Sequence, residues 1–351
     1  MAGERYNMRR THLVALLVAS ISAQNATWQK LSDGPWSARE GLMAVETPAG
    51  IVMTGGRDLF GAAATRDVWV TKDGSKWEKQ AQAPFKARAY HAMFYAQGCV
   101  FVAGGQTISL IGAPYYNDVW KSCDGLQTWH PLGHAPWRPR AGIAFTSFGS
   151  DQMIIAGGCY GEGQGPGRKF LNDVWSSTDG TNWTILTDNA PWPARSGARL
   201  VEFDGKLILL AGEIGFTPQT QLGDVWSSSD GVHWTLLTPT PSFSKRSGHG
   251  VVVVGTELLV IAGWHANKCL HDLWKSSDGV TWHMVSNTSW NCQADSCGKF
   301  DFWPVVTSAG TVLTLGGSNA YSTFGKLWAD TWALAMPALG EKAVLASQSK
   351  D

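Results

Sequence analysis

Residues 224–234 read DVWSSSDGVHW, and this stretch decides the fold because versions of it recur along the chain. The Asp-x-Trp triplets begin at Asp67, Asp118, Asp173, Asp224, Asp272 and Asp330. The intervals between them are 51, 55, 51, 48 and 58 residues, and an Asp-Gly turn with a second Trp follows all but the last. A period near 50 residues indicates a repeat architecture in which each unit is one small sheet.

Each repeat can be divided into four short strands. The first follows a basic residue, the second ends in a diglycine as at residues 101–105, the third carries the triplet, and the fourth carries the second Trp. Six such units predict an all-β fold, a six-bladed β-propeller. The sixth triplet has no fourth strand after it, but residues 26–31 match the fourth-strand pattern of residues 182–186. We therefore expect the N-terminal strand to close the last blade and leave no open sheet edge.

These repeats resemble the kelch-repeat family over residues 26–334, through the diglycine strand ends and the Asp-x-Trp strands. Kelch-type propellers include sialate epimerases, so the resemblance leaves an enzymatic function open. Gly212-Glu213 is similar to the Gly-Glu segment that bears a catalytic Glu in those epimerases. The basic residue that follows in the epimerases has no match here, where residues 216–219 read Phe-Thr-Pro-Gln.

The N-terminus has the features of a secretory signal. Arg9 and Arg10 precede an apolar run at residues 13–19, and small residues follow to Ala23. We predict a signal peptide at residues 1–23, the propeller at 24–336, and a polar tail at 337–351. The alternative is an ordinary disordered N-terminus. No other stretch approaches the roughly 20 apolar residues of a membrane helix, so no membrane span is expected.

Composition disfavours one class of function, and the cysteines add a constraint. Basic and acidic residues number 28 each and hydrophobic residues make up 44%, so the chain can bury a large core and its net charge of zero disfavours a nucleic-acid binder, the alternative being a local basic patch. Cys99 and Cys123 lie on neighbouring strands of blade two, which predicts a disulfide between them. Either Cys292 pairs with Cys297, or one of these pairs with Cys269; Cys159 is left as a free thiol. Potential glycosylation sites are Asn25, Asn182 and Asn287.

The strand order separates the two faces of the disc. The turns from first to second and from third to fourth strand are short, whereas the other two connections are long and differ among blades. Variable loops on a rigid scaffold are the usual place for binding and catalysis. The functional site is therefore expected on the long-loop face, around the central channel.

One basic residue precedes the innermost strand of each blade. These residues are Arg39, Arg88, Arg140, Arg195, Arg246 and Lys299. Facing a channel mouth, they would bind carboxylates or sulfates. Because a basic residue and the Asp of Asp-x-Trp both recur once per blade, the alternative is an ion pair that stabilises each blade.

Departures from the repeat supply the other candidates. At the second diglycine position, blade four has Glu213 and blade five has Trp264, followed by His265. His91 and His249 each lie three residues after the basic residue of their blade. A carboxylate, an aromatic platform and histidines at one mouth would bind a sugar acid and move a proton on it. The alternative is that Glu213 caps a loop and the histidines are satisfied wall residues.

The sequence thus predicts a secreted, monomeric kelch-type propeller that binds an extracellular glycan or protein through its long-loop face. No cofactor, metal or nucleic acid is expected. The alternatives are a glycan-modifying enzyme, an epimerase, lyase or hydrolase with Glu213 as acid or base, and a structural component of a matrix or cell wall.

Overall fold

Short antiparallel strands account for nearly all regular structure in the computed structural model. It describes residues 26–58, 64–107, 114–161, 167–215, 217–287, 290, 298–319 and 326–335. The predicted signal peptide (1–23), the predicted tail (337–351), Asn25, Cys292 and Cys297 lie outside these residues, so the predictions about them stay predictions. The one short helical turn in the described part is a 3₁₀ turn at Pro218–Thr220.

Six four-stranded sheets form the blades. Blade one contains β2 (Met43–Thr47), β3 (Gly50–Thr54), β4 (Val68–Thr71) and β5 (Glu78–Lys79). Blade two contains β6 (Ala92–Ala96), β7 (Cys99–Ala103), β8 (Asp118–Ser122) and β9 (His130–His134). Blade three contains β10 (Ala144–Phe148), β11 (Gln152–Ala156), β14 (Val174–Ser177) and β15 (Thr184–Thr187), with a separate hairpin of β12 (Cys159–Tyr160) and β13 (Lys169–Phe170).

The remaining blades follow the same order. Blade four contains β16 (Arg199–Phe203), β17 (Lys206–Glu213), β18 (Gln221–Ser228) and β19 (Thr235–Thr238). Blade five contains β20 (Gly250–Val254), β21 (Glu257–His265), β22 (Lys268–Ser276) and β23 (His283–Ser286). Blade six contains β24 (Trp303–Val306), β25 (Val312–Leu315), β26 (Asp330–Ala335) and β1 (Thr27–Asp33).

The ring closes through the N-terminal strand. The innermost strands contact one another in sequence order, and β24 of blade six returns to β2 of blade one. Strand β1 pairs antiparallel with β26, from Thr27 opposite Ala335 to Asp33 opposite Asp330. The predicted all-β six-bladed propeller, with its last blade closed by the N-terminal strand, is therefore confirmed. Closure completes blade six, which thereby has four strands like the other five blades.

The Asp-x-Trp triplet locks each blade from within. In blade two, Asp118 accepts a bidentate pair of hydrogen bonds from Arg88, each 2.8 Å long. The indole N–H of Trp120 donates to the same carboxylate at 2.7 Å. Since the basic residue precedes the first strand and the triplet begins the third, this contact ties the innermost strand to the middle of the sheet.

Aromatic side chains fill the space beside each fourth strand. Trp137 packs edge-on against Trp183 with ring centroids 5.8 Å apart, and equivalent pairs occur in the other blades. In blade six Trp290 takes this place and stacks on Trp28 of the N-terminal strand at 5.3 Å. Most of the 19 tryptophans therefore serve the scaffold, and one such contact seals the closure.

The disulfide predicted between Cys99 and Cys123 is confirmed, with the two Cα atoms 4.2 Å apart. Cys159 is buried and carries a free thiol, as expected, and Cys269 is also free. Within the described residues, the search for a helix with the length and apolarity of a membrane span finds none.

Candidate functional site

Six residues with left-handed backbone conformation surround the channel axis where the innermost strands begin. They are Gly41, Tyr90, Gly142, Gly197, Gly248 and Asp301, with φ between 52° and 64°. Backbone N–H groups donate to the carbonyl of a neighbour around this ring, as from Tyr90 to Gly41 and from Gly41 to Asp301, both at 2.9 Å. We call this ring the throat.

Two of the six throat residues are not glycine. A side chain in the left-handed region costs of order 1 kcal/mol or more, so Tyr90 and Asp301 occupy strained positions that four other blades fill with glycine. The Tyr90 hydroxyl lies 3.0 Å from Oδ2 of Asp301 and 3.0 Å from Oε1 of Glu40. It thereby joins two acidic side chains from different blades, although the chain positions are far apart.

An arginine completes this cluster. Arg57 Nη2 lies 2.6 Å from Oε1 of Glu40, and Arg57 Nε donates to the Tyr90 hydroxyl at 3.3 Å. Glu40 is only 1% exposed. Burial raises the pKa of Glu40 to about 7; the charge of Arg57 opposes this shift and that of Asp301 adds to it. Burial also raises the pKa of Asp301, against the opposing charge of Arg199.

A second ring lies outside the throat, formed by the residue that follows the diglycine-type end of each second strand. We call it the mouth ring: Arg57, Gln106, Cys159, Glu213, Trp264 and Ser318. Each member forms an antiparallel bridge with the residue that follows its neighbouring basic residue, as Glu213 does with Ser196 and Trp264 with Ser247. The assignment of Glu213 and Trp264 to the second diglycine position was wrong, because Gly212 and Gly263 occupy it with φ of 101° and 110°. Glu213 and Trp264 follow it and lie on adjacent blades of the mouth ring.

Glu213 has the surroundings of a proton-exchanging group. The hydroxyls of Ser247 and Ser196 and the positive charge of Arg168 are close enough to favour its ionised form. Burial, together with the negative charge of Asp301, raises the pKa of Glu213 to about 8 despite these three partners. A carboxyl with such a pKa can donate or accept a proton near neutral pH.

Trp264 follows Glu213 around the mouth ring, and His265 is the next residue in the chain, but the two differ in exposure. Trp264 is buried, with 3% of its surface exposed, and His265 is half-buried at the end of β21. Burial lowers the pKa of His265, and the charges of Arg246 and Lys245 lower it further. His265 is therefore a neutral side chain at the edge of the mouth.

The six basic residues lie inside the blades rather than at the mouth as free charges. Their closest contacts are Arg39–Asp67 at 2.6 Å, Arg88–Asp118 at 2.8 Å, Arg140–Asp173 at 2.6 Å, Arg195–Asp224 at 2.7 Å, Arg246–Asp272 at 2.8 Å and Lys299–Asp330 at 2.6 Å. All six basic side chains are at most 2% exposed. A ligand would have to break these pairs, so the structure favours the ion-pair interpretation. We therefore do not include the six cations in the candidate site. We call these pairs the ion-pair belt.

His91 and His249 are not part of the candidate site either. Both are fully buried, and neither ring nitrogen of either has a hydrogen-bond partner among the described residues. They fill the position that holds Leu42, Ile143, Ala198 and Phe302 in the other blades. Burial, with the charge of Arg88, lowers the pKa of His91 to about 3, so its ring is neutral. Neither imidazole is hydrogen-bonded to Glu213.

The structure adds residues that the sequence did not single out. Glu40, Tyr90 and Asp301 lie one or two residues after a belt cation, and Arg57 follows a diglycine. A signal was present for two of them, because Tyr90 and Asp301 stand where the other blades have glycine. Arg168, near Glu213, comes from the long loop of blade three and has no equivalent in the repeat.

Comparison with known proteins supports the repeat assignment. The family model for the Kelch motif matches residues 245–275, which run from just before Arg246 through the Asp272 triplet. No curated protein matches the chain significantly. Among solved structures, that of YjhT superposes with a TM-score of 0.68 and 17% sequence identity, over 88% of this chain and 98% of that chain. At that identity the likeness concerns the fold alone.

Proposed function

This chain is a kelch-type β-propeller, and we propose that it is a secreted protein that binds an extracellular glycan at the mouth of its channel. The observation that carries the proposal is the convergence of Glu40, Arg57, Tyr90, Asp301 and Glu213 on one mouth. Blades three and five hold glycine or uncharged residues at all the equivalent positions, so the scaffold does not need these groups. Burying them and straining two of them costs stability, which is typical of functional sites.

The chemistry of the mouth suits a sugar. Carboxylate oxygens accept hydrogen bonds from sugar hydroxyls, and the guanidinium groups of Arg57 and Arg168 donate to hydroxyl or carboxylate oxygens. A protein partner is the alternative occupant. The exposed large apolar side chains that would favour it include Ile185, Leu236 and Met284, which lie on fourth strands at the outer edge of the disc.

Export rests on a separate observation. A disulfide such as Cys99–Cys123 forms and persists in oxidising compartments. It agrees with the predicted signal peptide, and Asn182 and Asn287 are exposed where glycosylation would require it. The single-subunit state predicted from the sequence is part of the same proposal.

A second candidate function is proton transfer on an acidic sugar. The raised pKa of Glu213, to about 8, favours it because such a carboxyl is an acid below that pH and a base above it. Arg168 would hold the carboxylate of the sugar, because Arg57 is already paired with Glu40. The reaction class would be epimerisation, elimination or hydrolysis.

The test is a glycan array followed by calorimetry on the sugars that bind. Glu213→Gln and Tyr90→Phe remove one mouth group each and are expected to weaken binding at least about tenfold, the usual effect of losing a charged or buried hydrogen bond. Glu202→Gln is the matched control, because Glu202 lies at the other end of the channel. The proposal would be contradicted if both mouth variants bound with unchanged affinity, or if no glycan on the array bound the protein.

Two further readouts separate the alternatives. Proton NMR of a bound sugar left with the protein detects epimerisation or cleavage; turnover that Glu213→Gln abolishes while binding remains assigns catalysis to that carboxyl. If no sugar binds, but a protein from secreted material is captured by the wild type and not by Glu213→Gln, the ligand of the mouth is a protein and not a glycan.

A further inference from the structure

A cavity lies in the channel on the side of the throat that faces away from the mouth. It has a volume of about 300 Å³ and opens on the short-turn face, opposite to the mouth. Its walls are mainly apolar and come from the innermost strands: Val45, Phe94, Phe145, Val201, Val252 and Trp303. Phe145 and Trp303 lie parallel there, with ring centroids 5.0 Å apart. A water-accessible cavity of this size and apolarity is large enough for a small organic molecule.

One cation lies at the inner end of this cavity. Arg199 begins the innermost strand of blade four, where the other blades have Met43, Ala92, Ala144, Gly250 and Trp303. Its Nε donates to the His249 carbonyl at 2.6 Å, and its guanidinium stacks over the Trp303 ring at 4.6 Å. Unlike the belt arginines, Arg199 has no carboxylate within salt-bridge distance among the described residues. Its side chain is half-buried and lines the cavity.

The surrounding charges leave room for an anion at this end. Burial lowers the pKa of the Arg199 guanidinium, and the negative charge of Asp301 acts on Arg199 and opposes this shift. Asp301 lies in the throat, however, where it is hydrogen-bonded to Tyr90 on the mouth side. Two other carboxylates border the cavity at its open rim. Glu202 accepts from the backbone N–H of Gly149 and Glu46 from that of Ser308. Glu202 lies three positions along the strand from Arg199, a Cα distance of about 10 Å.

We propose that this cavity is a second binding site, for a small organic carboxylate with an apolar or aromatic body. The carboxylate would pair with the guanidinium of Arg199 at the inner end, and the body would lie against Phe94, Phe145 and Trp303. Charge complementarity selects the anion, because an arginine without a carboxylate partner in an apolar cavity lacks the ion pair that stabilises each belt arginine. The volume limits the ligand to a molecule of about one aromatic ring with short substituents.

The experiment is a fluorine NMR titration with 4-fluorobenzoate as the probe and the full folded protein. A ligand of this size is expected to bind with a Kd of about 1 mM or tighter. Arg199→Met places in blade four the residue that blade one has at Met43, and Val201→Phe fills the cavity without touching the cation. Each is expected to weaken binding at least about tenfold, as is replacing the probe by 4-fluorobenzyl alcohol.

Glu213→Gln is the control, since it alters the mouth and leaves the cavity beside Arg199 intact. It is expected to bind 4-fluorobenzoate as the wild type does, so failure of this site and failure of the mouth site are distinguishable. Equal affinity for the acid and the alcohol, equal affinity in Arg199→Met, or the absence of saturation would each overturn the proposal. If Arg199→Met does not fold, the comparison of acid with alcohol and the Val201→Phe variant still decide it.

Discussion

The ion-pair belt and the throat are adjacent in sequence but differ in how their charges are satisfied. Lys299 belongs to the belt and Asp301, two residues later, belongs to the throat. Every belt cation has an aspartate within 2.8 Å, and the same arrangement recurs in six blades. In the throat, by contrast, only Tyr90 and Asp301 depart from glycine. The paired charges of the belt stabilise the scaffold, whereas the scaffold does not require the charge of Asp301.

The pKa values of Asp118 in the belt and Asp301 in the throat follow the same division. Burial alone would raise the pKa of Asp118, but the hydrogen bonds from Arg88 and Trp120 outweigh it and the pKa is lowered. In the throat, burial dominates and the pKa of Asp301 is raised. Two charged hydrogen bonds and an indole donor on one carboxylate make this difference, because each stabilises the ionised form.

The largest effect is expected from breaking the belt. Arg88→Leu leaves Asp118, whose side chain is 20% exposed, without its cation, so the free energy of unfolding should fall by about 3 kcal/mol, the low end for a buried pair. Denaturation in urea at pH 7 measures the change. The double variant Arg88→Leu with Asp118→Leu should recover part of the loss, because it removes the stranded charge.

The matched control is an exposed ion pair on the N-terminal strand. Lys30 and Asp33 lie 2.6 Å apart, with side chains 42% and 78% exposed. Lys30→Leu should change the free energy of unfolding by less than about 1 kcal/mol. A loss at Arg88 no larger than that at Lys30 would contradict the role assigned to the belt.

A smaller, pH-dependent effect is expected above the throat. The folded state holds the proton of Glu40 up to a pKa of about 7, whereas an unperturbed glutamate releases it near 4.5. Folded protein therefore binds more protons between these values, and the free energy of unfolding should fall as pH rises through them. The contribution of this group is at most about 1.4 kcal/mol per pH unit.

Glu40→Gln removes that contribution, so the variant should lose less stability than the wild type between pH 4.5 and 7. Urea denaturation at several pH values measures both curves, and Glu78→Gln, at an exposed position of β5, serves as the control. Parallel curves for the wild type and Glu40→Gln would show that Glu40 does not hold this proton.

The smallest effect is expected at His91, where an imidazole occupies a position that blade one fills with Leu42. His91→Leu should raise the free energy of unfolding at pH 7 by about 1 kcal/mol, because two buried nitrogens without partners disappear. The unfolded histidine binds a proton near pH 6.5 and the folded one only near 3, so the wild type loses stability as pH falls between these values.

The advantage of His91→Leu should accordingly grow from pH 7 to pH 5, as thermal unfolding at both pH values can show. His283→Leu, on the exposed face of β23, controls for the loss of a histidine as such. A variant that unfolds at lower temperature than the wild type at both pH values would restore a positive role for His91.

The sequence predicted the scaffold well because the scaffold is repetitive. The period of the Asp-x-Trp triplets, the closure by residues 26–31 and the Cys99–Cys123 disulfide depend on local patterns or on strand order, and all three are confirmed. It predicted the site less well. Glu213 stood out as a departure, whereas Arg88 and its equivalents suggested a binding ring although each is neutralised within its own blade.

What the sequence determined by itself is the number of blades, their strand order and the residue types at each repeated position, because these follow from hydrophobic periodicity and turn chemistry within about 50 residues. The tertiary structure decided which departures meet. Tyr90 and Asp301 are 211 residues apart and share a hydrogen bond only because ring closure places blades six, one and two side by side. The charge of a buried group depends on its hydrogen-bond or ion-pair partner and on how deeply it is buried. Both are properties of the closed ring and not of any one repeat.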